Sequence, residues 1–180
     1  DLNVMHDKTM PARTYYIPAS VRMNDLVEHR ERSDRFQLLN GEWKFQYYNS
    51  IYDVTESFYE KGYDVSGFDQ VTVPGVWQMD GYDTHQYTNI RYPFPFDPPY
   101  VPQDIPCGAY VHNFEYHREE KASKAFLNFE GVDSCFYVWV NGAYAGYSQV
   151  PHATSEFDVT DLLNEGENTL AVLVLKWCDG

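Results

Sequence analysis

The residues best suited to chemistry lie in one segment, residues 77–102, which combines aromatic rings with amides, a hydroxyl and a carboxylate. Aromatic faces stack on the C–H surfaces of sugar rings while polar side chains bond to hydroxyls, a common division of labour in ligand pockets. Both kinds of side chain are present: Trp77, Gln78, Tyr82, Asp83, Tyr87, Thr88, Asn89, Tyr92 and Tyr100. A second interpretation stays open, in which the rings hold a proline-rich loop onto the fold or onto another domain.

Other catalytic groups show no grouping by spacing. The six histidines are scattered and none lies in an HExxH or similar ligand pattern, so a zinc site is not predicted. No Ser/His/Asp or Cys/His grouping is recognisable, and no GxGxxG motif or P-loop supports nucleotide binding. Most of the 27 acidic side chains are interpreted as solvated surface groups, since sequence alone cannot pair carboxylates across a sheet.

The composition is that of an acidic globular domain. With 180 residues, 17% of them aromatic, the chain is long enough to bury a sizeable core. A net charge of −14 argues against nucleic acid and membrane surfaces, because phosphate affinity comes from Lys and Arg. No apolar stretch has transmembrane length, and no signal peptide opens the chain. Three cysteines without a CxxC pair predict reduced thiols in a cytoplasmic protein: Cys107, Cys135 and Cys178.

The elements that must position these residues are strands. Trp43, Phe45 and Tyr47 alternate with polar residues, which is strand patterning. Further strands are predicted at 70–73, 109–117, 125–130, 134–140, 143–148, 155–159 and 168–177, the last apolar on both faces and therefore central. Asn141-Gly142 predicts a tight hairpin. Seven of the ten prolines fall in 74–106 and exclude a helix or central strand there. The pattern predicts an all-β antiparallel sandwich or barrel, preceded by an extended arm with at most a short helical turn.

Several motifs together resemble the N-terminal domain of family 2 glycoside hydrolases, most closely the bacterial β-galactosidases. The resemblance covers nearly the whole chain. It rests on these segments: 39–45 (LNGEWKF), 73–83 (VPGVWQMDGYD), 87–90 (YTNI), 92–102 (YPFPFDPPYVP), 129–134 (FEGVDS), 141–148 (NGAYAGYS), 155–158 (SEFD), 166–168 (GEN) and 175–180 (LKWCDG).

The resemblance implies a galactose-binding-domain-like jelly-roll sandwich over residues 39–180, with an N-terminal arm over 1–38. It implies no catalytic residue in this chain, because the acid/base and nucleophilic glutamates of the retaining mechanism belong to a later (β/α)8 barrel. It assigns galactosyl contacts to Asn89 and Asp179, and a sodium ion to Asp179. Sodium and magnesium are expected for the intact enzyme, with no cofactor held by this domain alone. Cys178 stands where the family often has serine.

The implied partners are a β-galactoside, later domains of the same polypeptide and further copies of the enzyme, with no nucleic acid or membrane. Two alternatives remain: a stand-alone jelly-roll carbohydrate-binding module, and an interaction domain without sugar contact.

Because the chain stops inside the 177–180 motif, we expect a piece of a longer polypeptide. From the residues alone, Asn89 and Asp179 are also ordinary turn formers; the resemblance favours the functional interpretation.

Overall fold

The computed structural model describes residues 2–87, 89 and 91–179. Over these residues the chain forms nine β-strands, two 3-10 helices and no α-helix. The 3-10 helices span Arg30–Arg32 and Ile51–Asp53. The strands are β1 (His6–Asp7), β2 (Gly41–Tyr48), β3 (Asp69–Val73), β4 (Cys107–Tyr116), β5 (Phe126–Phe129), β6 (Cys135–Val140), β7 (Ala143–Ser148), β8 (Ser155–Asp158) and β9 (Gly166–Leu175).

All strand pairs are antiparallel, so the all-β prediction is confirmed, while the jelly-roll winding stays a prediction. The larger sheet has the order β1-β7-β6-β9-β4-β2-β3, and β5 pairs with β8 in a second, two-stranded sheet. Strand β9 is central, as its two apolar faces predicted. Its six residues from Leu170 to Leu175 are all buried.

Both faces of the large sheet are covered, which explains that pattern. On one face the small sheet packs through Phe129 and Phe157, whose ring centroids lie 4.8 Å and 6.1 Å from that of Phe136 in the large sheet. The other face, which includes Cys107 and Cys135, is covered by side chains from the segment between β2 and β3, with Phe58 at their centre. The core therefore has two layers, one on each side of the large sheet.

The N-terminal arm is attached along the β7 edge of the large sheet. Strand β1 pairs His6 with Ser148, and the backbone N–H of Met10 donates to the Glu156 carbonyl at 2.7 Å. Arg13 donates to both carboxylate oxygens of Glu156, from Nε at 3.0 Å and from Nη2. The arm therefore adds an edge strand to the sandwich, an element that the sequence pattern did not predict.

A buried asparagine fixes the end of the sandwich where the predicted Asn141-Gly142 turn joins β6 to β7. Asn141 and Gly142 have φ values of 52° and 83°, as a type I′ turn requires. Asn168 is 1% exposed. Its Oδ1 accepts from Asn141 Nδ2 at 2.7 Å and from the Asn164 N–H at 2.8 Å. Its Nδ2 donates to the Asn164 and Gly166 carbonyls at 2.9 and 2.8 Å. One amide group thus joins two turns that are distant in sequence.

No helix in the described residues is long and apolar enough to span a membrane.

Gly146→Ala is expected to lower the free energy of unfolding by about 2 kcal/mol. Gly146 has a φ of 153°, and an added Cβ would lie 2.5 Å from the Asp7 carbonyl oxygen and 2.6 Å from the Phe157 ring. Urea denaturation measures the change. Gly131→Ala is the matched control, because a Cβ there meets nothing within 4 Å. Equal stability of the two variants would show that the close approach of Asp7 and Phe157 to Gly146 does not restrict this position.

Candidate functional site

The first half of the proline-rich segment is held against the core. Trp77 is 6% exposed, and its ring centroid lies 6.2 Å from that of Phe45. Tyr82 packs edge-on against Phe45 at 4.9 Å and donates its hydroxyl to Asp69 at 2.8 Å. For Trp77 and Tyr82, the interpretation that the rings hold the loop onto the fold is therefore confirmed.

The second half of the segment presents its rings outward. Tyr87, Tyr92, Phe96 and Tyr100, here named the aromatic surface, are between 57% and 73% exposed. Tyr92 contacts Phe96 edge-on, with centroids 5.3 Å apart. Tyr92, Phe96 and Tyr100 also line one cleft, and large exposed apolar patches often mark ligand or protein contact sites. The aromatic surface is therefore the part of the loop available to a partner.

Asp179 lies beside this surface. It lines a small open cleft of about 60 Å³ together with Tyr92, Phe94, Phe96, Asp97, Pro98, Pro99, Tyr100, Val101 and Cys178. The ring of Trp177 packs edge-on against Phe94 with centroids 5.1 Å apart. The segment after β9 thus meets the second half of the loop, and Asp97 and Asp179 line the same cleft.

The donors in the cleft suit a hard cation. Carboxylate oxygens prefer alkali and alkaline-earth ions to soft metals, and Asp97 and Asp179 supply two such groups. Over the described residues, no group of three or more His, Cys, Asp or Glu side chains is arranged to hold a metal. Two carboxylates are fewer than a complete cation site needs, so an ion held here would take further oxygen ligands from the backbone, water or other chains.

Asn89 is exposed and lies outside the cleft. Its Nδ2 donates to the Tyr87 hydroxyl at 2.8 Å, which orients the amide alongside a ring of the aromatic surface. Its neighbours Thr88 and Ile90 lie outside the described residues. In the part of the chain that is described, Asn89 and Asp179 flank the aromatic surface but no contact joins them.

A largely buried ion pair joins this loop to the residue after β9, and the sequence reasoning missed one of its partners. Asp83 and Lys176 have side chains that are 14% and 11% exposed. Lys176 Nζ donates to Asp83 Oδ2 at 2.5 Å, and the Thr84 N–H donates to Oδ1 at 2.7 Å. Burial raises the pKa of Asp83, but the hydrogen bonds from Lys176 and Thr84 outweigh it, so this pKa lies below its ordinary value. The carboxylate is charged at neutral pH.

A signal for Lys176 was present in the sequence. A lysine that directly follows the apolar strand β9 and precedes Trp177 lies too close to the core to remain without an ionic or hydrogen-bond partner. The identity of that partner was not readable from spacing.

Two of the three thiols are unsuited to nucleophilic chemistry. Cys178 Sγ lies 3.2 Å from Ser134 Oγ. A hydrogen bond with Cys178, followed by burial, raises the pKa of the Cys135 thiol, and burial raises the pKa of Cys107 to about 12. Thiols with raised pKa values are poor nucleophiles because the thiolate is the reactive form. Cys107 and Cys135 are therefore core residues.

An aromatic surface beside a cleft lined by carboxylates, on an all-β sandwich, offers the mixture of groups that carbohydrate-binding domains use. Residues 36–180 match the family described as glycosyl hydrolases family 2, sugar binding domain, so the chain belongs to this family.

The chain is also similar to parts of longer proteins. It is 47% identical over 180 residues to a β-galactosidase from Actinobacillus pleuropneumoniae, and 45% identical over 181 residues to one from Staphylococcus xylosus. Both matches cover 100% of this chain but only 17% and 18% of the relatives. Among solved structures, a β-glucuronidase from an uncultured Clostridium sp. matches 77% of this chain and 21% of its own, with 26% identity and a TM-score of 0.54.

Proposed function

We propose that this chain is the non-catalytic N-terminal domain of a retaining β-galactosidase that hydrolyses terminal β-D-galactosyl residues. The observation that carries the proposal is the 47% identity to a β-galactosidase along the whole of this chain. The chain spans less than a fifth of that relative's length. In this proposal, both catalytic glutamates of the retaining mechanism belong to later domains of the same polypeptide.

In this proposal Asn89 and Asp179 contact the galactosyl group, and Asp179 also binds sodium. The exposed amide of Asn89 can donate to one hydroxyl and accept from another. The Asp179 carboxylate lines a cleft beside aromatic rings, which is the mixture of groups that sugar sites use. A carboxylate that binds an alkali ion and a hydroxyl together would place the sugar relative to the ion.

The aromatic surface is proposed to pack against the later domains, so that the cleft becomes one wall of a site shared between domains. Exposure of 57% to 73% for four rings of one loop is unfavourable in water, and a covering domain would remove that cost. We further propose that the intact enzyme is a cytoplasmic homo-oligomer that requires sodium and magnesium, in keeping with the buried reduced thiols of Cys107 and Cys135.

A stand-alone carbohydrate-binding module is the second candidate. Exposed rings such as Tyr87 and Tyr100 are also how such modules stack on sugars. The two functions differ in what the isolated domain can bind, because a site shared between domains loses most of its contacts when one domain is alone.

The purified chain is expected to hydrolyse no chromogenic galactoside above background, and to bind galactose too weakly for calorimetry to detect. A sandwich without the two glutamates has neither the nucleophile nor the general acid. The full-length enzyme, assayed in parallel, is the positive control. Turnover by the isolated chain would refute the non-catalytic assignment. A micromolar dissociation constant for galactose would favour the binding module.

A further inference from the structure

The Asp83–Lys176 ion pair joins the two segments that carry the proposed site residues. Asp83 belongs to the loop that contains Asn89, and Lys176 precedes Asp179 by three positions. The two partners are 93 residues apart in sequence. Their contact therefore sets how the end of the chain lies relative to the loop.

Lys176 is itself held in place at several points. Its backbone N–H donates to the Pro106 carbonyl at 2.9 Å. Its ammonium lies 4.8 Å from the centroid of the Trp177 ring, and Trp177 in turn packs on Phe94. The ammonium is thus located between the Asp83 carboxylate and the ring that leads to Asp179, and a shift of Lys176 would move Trp177.

This pair differs from the other ion pairs found in the described residues. It is the one in which both side chains are less than 15% exposed; in the Lys124–Asp158 pair, by comparison, the side chains are 58% and 31% exposed. A buried ion pair adds little net stability relative to apolar residues of similar size, because desolvation offsets the attraction. Its distinctive property is that it favours one arrangement of the chain end relative to the loop over other arrangements.

We propose that Asp83 and Lys176 are a positioning pair that holds the segment from Trp177 to Asp179 against the aromatic surface, so that the Asp179 carboxylate faces the galactosyl group and sodium. This inference rests on the proposed function. The pair touches neither the sugar nor the ion; it acts through the backbone and ring that connect Lys176 to Asp179.

The test uses the full-length enzyme with the double substitution Asp83→Asn/Lys176→Met. Both charges are removed together, so no buried charge remains without a partner, and the asparagine oxygen still accepts from Thr84. We expect kcat/KM for a chromogenic galactoside to fall about tenfold, through a higher KM and a higher sodium half-saturation, while the melting temperature stays close to the parent value. Lys176→Arg retains the ion pair and is expected to restore most of the activity.

Lys124→Met is the matched control, because it breaks an ion pair of the small sheet outside the cleft, and its KM and sodium dependence should equal those of the parent. A double variant with parental KM and sodium dependence would overturn the positioning role and leave the proposed function standing. A parent enzyme that hydrolyses no galactoside would overturn both. If the double variant does not fold, Asp83→Asn/Lys176→Gln decides, because it also removes both charges but keeps polar groups at both positions: a raised KM supports the role, and an unchanged KM overturns it.

Discussion

Asp179→Asn in the full-length enzyme is expected to lower kcat/KM for galactosides about a hundredfold or more, equivalent to about 2.7 kcal/mol. The substitution removes the charge but preserves the shape of a side chain that lines the cleft beside Tyr92 and Tyr100. A neutral amide binds sodium weakly, and its hydrogen bond to a hydroxyl is weaker than that of a carboxylate. The domain should remain folded, because Asp179 lies after the last strand and outside the core.

A sodium titration of the steady-state rate measures this effect, and the variant should respond less to sodium than the parent. Asn89→Ala should cost less than Asp179→Asn, because an uncharged hydrogen bond contributes less than one to a charged group. Asp104→Asn, at an exposed position of the same loop, is the control and should retain parental kinetics. Near-parental kinetics for Asp179→Asn would show that this residue only closes a turn.

Asn168→Ala is expected to lower the free energy of unfolding by about 3 kcal/mol. The substitution removes all four hydrogen bonds of a side chain that is 1% exposed. It leaves the Asn141 amide and the Gly166 carbonyl without this partner, and it opens a cavity beside the turn between β6 and β7. Both losses act on the folded state alone.

Urea unfolding of the purified domain measures the change. Asn113→Ala is the matched control, because Asn113 is an exposed residue of the neighbouring strand β4 whose side chain accepts one hydrogen bond, from Thr169. That variant should lose less than about 1 kcal/mol. A similar loss in both variants would show that Asn168 does not have the central role that its four contacts indicate.

Most of the sheet could be predicted from the sequence, because a strand with a buried face shows a regular pattern of apolar residues. The alternation around Trp43 located β2, and the apolar run to Leu175 located β9 at the centre of the sheet. The segment that covers the second face of the sheet has no such pattern, because Phe58 and its neighbours pack against the sheet from irregular backbone. Strand β1 was missed because two residues are too few to show a period.

The site was less predictable than the fold, for a related reason. Nothing in local spacing distinguishes Asn89 and Asp179 from turn residues, so both were assigned through resemblance, and their sugar and sodium contacts stay predictions. The Asp83–Lys176 pair depends on which loop meets the end of β9, a tertiary contact between residues far apart in the chain. Periodicity identifies the face of a strand, but it does not identify the partner that the end of the strand meets.

The arm that pairs with β7 also affects how the molecule behaves in concentrated solution. A strand at the margin of a sheet exposes a row of backbone donors and acceptors that other polypeptides can join. In this structure, β1 covers Tyr147 and Ser148 at one end of β7, and the bridge from Thr9 to Phe157 lies along β8. We expect a protein that lacks these residues to expose this end of β7 and the edge of β8, where a neighbouring molecule could add a strand. Pairing of the arm thus shortens the open edge through which aggregation would start.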